Sequence, residues 1–208
     1  TGEGKTLRKS FIDGKLTSSK TDGSDKLALV RSLGETKKAE GHLLLGYDDL
    51  YSIQYFGENL RPYWNRNGNE TIQSQFAKAD KEYDAVMDKC AAFDANLMKE
   101  ATEVGGRKYA ELCALAYRQA IAAHKLVEAP NKDLLFLSKE NFSNGSIGTV
   151  DITYPSAPLF LVYNPELAKG LMNHIFYYSE SGKWNKPFAA HDVGTCLLYT
   201  SDAADEED

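Results

Sequence analysis

Two apolar stripes separated by a glycine pair constrain the fold of this chain more than any other feature. In residues 71–103 the apolar positions recur at steps of three and four, at Ile72, Phe76, Ala79, Tyr83, Val86, Cys90, Phe93 and Leu97. This spacing is typical of a long amphipathic helix. Gly105 and Gly106 interrupt the pattern, and a second stripe extends from Tyr109 to Val127 before Pro130. The sequence therefore predicts two helices joined by a short turn, an αα-hairpin.

The N-terminal part has a different character. Residues 1–46 contain the turn signal TDGSD (21–25) and two apolar runs, KLALVRSLG (26–34) and HLLLGY (42–47), which indicate strands. We expect them to form the C-terminal part of a β-sandwich-like domain. Residues 47–70 are the expected linker, with a short helix whose face carries Tyr47, Leu50, Tyr51, Gln54 and Tyr55 and which ends at Gly57.

The region after the hairpin mixes element types. DLLFLSKEN (133–141) and GTVDITY (148–154) suggest two strands that pair across a turn at residues 143–146. A third helix is expected from Asn164, with Pro165 at its first position, to Gly182. Residues 71–195 are thus predicted to be the start of a helical domain.

Composition excludes several function classes. The net charge is −6, but five acidic residues lie in residues 196–208, so the remainder is close to neutral and shows no nucleic-acid footprint. No apolar run approaches the roughly 18 residues of a membrane helix. The three cysteines form no C-x-x-C pair, and no motif indicates a cofactor or a metal site. His124 lies on an apolar helical face, where a buried core histidine is the favoured interpretation.

The last thirteen residues, CLLYTSDAADEED (196–208), resemble the translation of a transposase-type sequencing adapter. We interpret them as an artefact tail and leave them out of the fold argument. The expectation is a natural chain interrupted near Thr195, and hence a fragment truncated at both ends.

Three polar loops hold the candidate site residues. They are SKENFSNG (138–145), TVDITYPSAP (149–158) and SGKWNKPFAAHDVGT (181–195). Carboxylate pairs can act as general acid and base, which makes Asp151 and Asp192 the catalytic candidates, with His191 as a proton shuttle. The substrate-binding candidates are Glu140, Asn141, Tyr154, Trp184, Asp48 and Asp49.

Each candidate also has a structural interpretation. Asp192 could cap a turn, Asp151 could pair with a nearby base, and His191 could bond to a backbone carbonyl. A loop tryptophan such as Trp184 is more often a packing anchor than a stacking platform, and a turn rich in Asn and Ser needs no substrate.

Three strings carry a resemblance to a known family: YDDLYSIQYFGENLRPYW, LSKENFSNGSIGTVDITYPSAPLFLVYNPEL and YYSESGKWNKPFAAHDVGT. They resemble the glutaminase A family over residues 46–195. The resemblance implies a large secreted or periplasmic/cell-envelope protein whose β domain precedes an (α/α)₆ six-hairpin toroid. It also implies hydrolysis of L-glutamine to glutamate and ammonia, with the present fragment itself inactive.

Two other functions stay open at this point. A six-hairpin toroid and aromatic-plus-carboxylate loops suit a glycoside hydrolase equally well, and a non-catalytic binding module would also need a polar pocket. All three predict a small-molecule partner, glutamine or a sugar, and no cofactor. No Ser or Cys nucleophile elbow is visible, so a covalent acyl-enzyme is not favoured.

Overall fold

The computed structural model describes residues 2–3, 9–10, 12–15, 27–28, 34–138 and 145–194. The chain divides into two compact units, Thr1–Leu43 and Leu44–Asp208. In the first unit, strands β1 (Gly2–Glu3) and β2 (Leu27–Ala28) pair antiparallel, with Gly2 opposite Ala28. Most of the strand predicted at 26–34, and the whole tail from residue 195, lie outside the described residues. The apolar run 42–47 forms no strand and is largely exposed, so that prediction is wrong.

The second unit opens with a hairpin of β3 (Ile53–Tyr55) and β4 (Glu58–Leu60), where a short helix was expected. The two turn residues, Phe56 and Gly57, have φ of 46° and 95°, as a tight two-residue hairpin turn requires. Buried Tyr55 and Leu60 fix the hairpin on the core. A 3₁₀ turn, Tyr63–Asn65, follows.

Helix α1 (Ile72–Ala122) confirms the predicted helical hairpin. It begins with a capping box, in which Thr71 accepts from the Ser74 N–H and the Ser74 hydroxyl accepts from the Thr71 N–H. At Gly106 the backbone leaves the helical region, with φ 79° and ψ 176°. The Phe93 and Tyr117 rings lie 5.0 Å apart, whereas a straight helix would separate their backbones by roughly 36 Å. The chain therefore reverses direction at Gly106.

The second arm of α1 is shorter than the apolar stripe suggested. Strand β5 (His124–Glu128) follows it and pairs antiparallel with β6 (Leu134–Ser138), His124 opposite Ser138. Two predictions are thus wrong: residues 124–127 are not helical, and β6 pairs with β5 and not with residues 148–154. The buried side chains of β6 explain this, because Leu135 and Leu137 face one core cluster and Phe136 faces another.

Helix α2 (Val150–Tyr163) replaces the strand expected at 148–154. It contains Pro155 and Pro158, which free the carbonyls of the residues four positions earlier. Those residues, Asp151 and Tyr154, are exposed, so water can satisfy their carbonyls. Burial of Phe160 against Phe136, with ring centroids 5.1 Å apart, packs the helix onto β6. Packing here overrides local propensity.

The third predicted helix exists as two segments, α3 (Pro165–Gly170) and α4 (Asn173–Glu180). Asn164 is the N-cap with Pro165 after it, as predicted, and its side chain accepts from the Leu167 N–H. The segment from Gly182 to Gly194 forms the predicted loop without regular structure. None of the helices that the structure describes is long and apolar enough to cross a membrane.

Candidate functional site

Two of the three polar loops meet beside Ser138, the residue that ends β6 and begins the third loop. The Gly148 N–H donates to the Ser138 carbonyl at 2.9 Å, which ties residues 147–150 to that strand. The same short segment bonds to the last loop: Val150 N–H donates to the His191 carbonyl at 2.8 Å, and Val193 N–H donates to the Ile147 carbonyl at 3.0 Å. This pairing sets the position of the loop against the first turn of α2.

The backbone pairing brings the three predicted catalytic side chains together. Nδ1 of His191 lies 2.8 Å from Oδ2 of Asp192, and Nε2 of the same ring lies 3.5 Å from Oδ1 of Asp151. The imidazole therefore stands between two carboxylates, an arrangement we call the Asp–His–Asp cluster. It joins residues that are 40 positions apart in the sequence.

The two carboxylates have different surroundings. The side chain of Asp192 is 10% exposed and accepts a second hydrogen bond, from the Gly194 N–H at 2.6 Å. The side chain of Asp151 is 73% exposed. Asp192 is thus a fixed acceptor that orients the ring, whereas Asp151 is open to solvent and to a substrate. One carboxylate oxygen thus lies within 3.5 Å of each ring nitrogen.

An aromatic cluster that contains Tyr178 lies behind Asp192. Tyr178 on α4 is 2% exposed; burial and then the negative charge of Asp192 raise its pKa above the ordinary value. Tyr178 therefore stays neutral beside the carboxylate. Its ring packs on Phe56 and Trp184, with both centroid distances 5.6 Å. An aromatic cluster thus supports the rear of the site.

Two of the binding candidates lie near the cluster and differ in character. Tyr154 is one turn after Asp151 on α2 and is 83% exposed, so its ring is accessible. The indole N–H of Trp184 donates to the Phe188 carbonyl, and the ring packs on the core. Trp184 therefore serves as a packing anchor in this structure, and its role in substrate binding stays a prediction.

Four binding candidates remain: Glu140, Asn141, Asp48 and Asp49. Glu140 and Asn141 lie outside the described residues. Asp48 accepts from the Leu50 N–H, and Asp49 forms an ion pair of 2.6 Å with Lys125. Burial opposes ionisation of Asp49, but the hydrogen bond and charge of Lys125 outweigh it and hold its pKa below the ordinary value. These two contacts give Asp48 and Asp49 local structural roles.

Sequence reasoning missed two buried residues: His174, which contacts Gly148, and Tyr178, whose pKa is raised by the charge of Asp192 as well as by burial. Both lie on α4 and are fully or almost fully buried. Their helical spacing is that of ordinary core positions, so nothing in the sequence indicated these contacts. Within the residues that the structure describes, no group of three or more His, Cys, Asp or Glu side chains is placed to hold a metal ion.

Two protein-family models match the chain. The family model described as "Glutaminase A six helical-hairpin domain" matches residues 106–206, and the model described as "Domain of unknown function (DUF5127)" matches residues 1–100. The first range includes most of the adapter-like tail, whose interpretation stays a prediction. No solved structure matches the chain.

Two curated relatives are similar in sequence. A protein named Glutaminase A from Aspergillus oryzae is 31% identical over 173 residues, which is 81% of this chain and 25% of that protein. A probable glutaminase from Arthroderma benhamiae is 32% identical over 102 residues, 49% of this chain and 12% of that protein. The chain thus spans a quarter or less of the length of these relatives. The two family models and these relatives show that the chain belongs to the glutaminase A family.

Proposed function

We propose that the protein containing this chain hydrolyses the side-chain amide of L-glutamine to glutamate and ammonia. The observation that carries the proposal is the Asp–His–Asp cluster, in which a nearly buried carboxylate holds an imidazole 3.5 Å from an exposed one. The names of the two relatives point to the same reaction. The proposal concerns the whole protein, because the chain covers a quarter of Glutaminase A.

The cluster suits a direct attack of water on the amide. Asp151, the exposed carboxylate, accepts a proton as a water molecule adds to the amide carbon. Protonated His191 donates its Nε2 proton to the leaving nitrogen as the C–N bond breaks, and ammonia departs. Asp192 stabilises the imidazolium and fixes its orientation through Nδ1. The proton on Asp151 then returns to Nε2 across the 3.5 Å gap, which restores the starting state.

Tyr154 is the side chain best placed to contact a substrate at Asp151, since it is exposed and lies one turn along the same helix. Asn141 and Glu140 belong to the polar loop that follows β6. The last residue of β6, Ser138, accepts a hydrogen bond from the Gly148 N–H. We infer that these residues contribute to binding of the amino-acid part of the substrate.

We also infer that α1 is the first hairpin of an (α/α)₆ toroid. Several apolar side chains on its second arm are exposed, among them Leu112 at 62% and Leu115 at 52%. Monomeric proteins rarely expose such an apolar stripe, and further hairpins would cover it. A secreted or cell-envelope location accompanies this proposal, as the family resemblance implies.

The test measures ammonia released from L-glutamine by the protein expressed from its full reading frame. We expect Asp151→Asn, His191→Gln and Asp192→Asn each to lower kcat by roughly 10²–10⁴-fold. Glu166→Gln is the matched control, because Glu166 is also a carboxylate in the first turn of a helix, paired with Lys169 at 2.7 Å. This control should keep wild-type activity.

A panel of aryl glycosides assayed for released aglycone separates the alternatives. Ammonia release that survives loss of both Asp151 and Asp192 would refute the assignment of the site. Aglycone release without ammonia would instead identify a glycoside hydrolase. If neither product forms, the amidohydrolase proposal fails for glutamine.

A further inference from the structure

A buried histidine lies against Gly148, three residues before Asp151. His174, on α4, has no exposed surface, and its Nε2 lies 3.2 Å from the Gly148 carbonyl oxygen. A carbonyl only accepts, so the hydrogen bond to Gly148 requires the tautomer with its proton on Nε2. Gly148 begins the turn that leads, through the buried N-cap residue Thr149, into α2 and Asp151.

The ring occupies the space that a side chain at position 148 would need. Gly148 has φ +67°, and a Cβ built on it would lie 2.0 Å from Nε2 of His174. The imidazole thus packs against bare backbone, which only glycine allows at this distance and this φ. The contact makes the position of residue 148 depend on the His174 ring.

Residue 148 sits within the segment that aligns the catalytic candidates. Ile147, just before it, exchanges hydrogen bonds with Val193 and Gly194, at 3.0 and 3.1 Å. Val150, just after it, donates to the carbonyl of His191. A shift of Gly148 would therefore move the first turn of α2, which bears Asp151, relative to the loop that bears His191.

We propose that His174 is a positioning residue for the Asp–His–Asp cluster: its Nε2–H holds the Gly148 carbonyl and so sets the separation of Asp151 from His191. The kinetic consequence rests on the proposed glutaminase function, whereas the geometric consequence does not.

The charge state of the ring fits this role. Burial lowers the pKa of His174 to about 4, against the weaker effect of backbone hydrogen bonds at Gly148 and Gly170. The ring is thus neutral near pH 7, with one N–H to donate. A leucine would fill such a volume but would leave the buried Gly148 carbonyl without this donor.

A matched pair of amide substitutions tests the proposal. Gln places its side-chain nitrogen the same number of bonds from Cα as Nε2 of histidine, so His174→Gln can still reach Gly148. Asn is shorter, so His174→Asn cannot. Leu171→Ala, at a buried position in a core cluster with Phe136 and Phe160, controls for general loosening of the fold.

The first readout is the NMR titration of the His191 ring, which needs no substrate. We expect the Asn variant to shift this titration and the Gln and Leu171→Ala variants to leave it near wild type. The second readout is ammonia release, for which the Asn variant should lower kcat by roughly 10–100-fold with KM little changed, and the Gln variant should restore kcat.

Failure of the proposed function can be told apart from failure of the positioning role. If wild type releases no ammonia, the proposed function fails while the His191 titration still decides the positioning role. An unchanged His191 titration in the folded Asn variant, or an equal shift in Leu171→Ala, would overturn the proposal. Should the Asn variant not fold, ¹⁵N shifts of wild-type His174 decide, because a ring protonated on Nδ1 instead of Nε2 cannot donate to Gly148.

Discussion

Acidification should destabilise this fold through His174 in a way that a single substitution removes. In the unfolded chain this histidine has its ordinary pKa of 6.5, whereas burial lowers its pKa in the folded state to about 4. Between these two values the unfolded state binds more protons than the folded state. Stability is therefore fully present above pH 6.5 and is lost as the pH falls toward 4.

The size of the effect follows from the two pKa values. Integrating proton binding gives a loss of free energy of unfolding of roughly 2 kcal/mol at pH 5 and roughly 3 kcal/mol at pH 4, relative to neutral pH. The loss levels off below pH 4, because the folded state then becomes protonated as well. Solvent does not screen this effect, because the ring has no exposed surface.

The assay is urea unfolding of wild type and His174→Gln at pH 7, 6, 5 and 4. Both tryptophans, Trp64 and Trp184, lie in the second unit, so their fluorescence follows the part that contains His174. Other titrating groups, including His124, whose pKa burial also lowers, are common to both proteins and cancel in the difference. Glutamine does not titrate, so between pH 7 and pH 5 the free energy of unfolding should fall by roughly 2 kcal/mol more in wild type than in the variant. Parallel pH profiles for the two proteins would refute the reasoning.

Two further predictions concern backbone positions. Gly148→Ala should cost clearly more than Gly182→Ala: both positions have positive φ, worth roughly 1–3 kcal/mol, but a Cβ at Gly148 would also overlap His174, whereas one at Gly182 meets nothing within 4 Å. Thermal unfolding measures both variants, and equal losses would contradict the contact. Thr71→Ala removes the side-chain half of the capping box of α1 and should cost roughly 1 kcal/mol, with Thr71→Ser close to wild type. Hydrogen exchange of the Ser74 amide reports this change directly, and unchanged protection would argue against the cap.

The elements that could be predicted are those fixed by local chemistry. The apolar stripe from Ile72 to Leu97 and the break at Gly106 identify a helical hairpin without reference to the rest of the chain. The cap at Asn164 and Pro165 is equally local, since side chain and backbone of neighbouring residues make the contact. These signals depend only on neighbouring residues, so the rest of the fold does not alter them.

The β3–β4 hairpin could not be predicted because its stabilisation is not local. Its aromatic residues happen to repeat at helical spacing, and Phe56 adopts a positive φ that bulky residues rarely accept. Contacts from distant residues support that conformation, since the Phe56 ring packs on Tyr177 and Tyr178 at centroid distances of 5.0 and 5.6 Å. Nothing in residues 50–60 alone indicates these partners.

The three candidate catalytic residues lie together, although the element that carries one of them was predicted wrongly. Asp151 was expected on a strand and lies in the first turn of α2, and yet it faces His191. Residue type suggested the chemistry, because a histidine and two carboxylates in polar loops can move protons. Their separation depends instead on hydrogen bonds between residues 147–150 and 191–194, which no residue type reveals.

Residue type thus accounts for the chemistry of the cluster, and backbone hydrogen bonds account for its geometry. The most informative variants therefore include residues outside the cluster as well as within it. Removing Asp151 or Asp192 tests whether these groups act, but it cannot tell why they stand where they do. His174 and Gly148 carry no chemistry of the reaction, and they contact the segment that both halves of the cluster share. If their substitution changes His191 while the core control does not, the geometry of the site is set by this backbone segment. The polar loops alone would then be insufficient to build it.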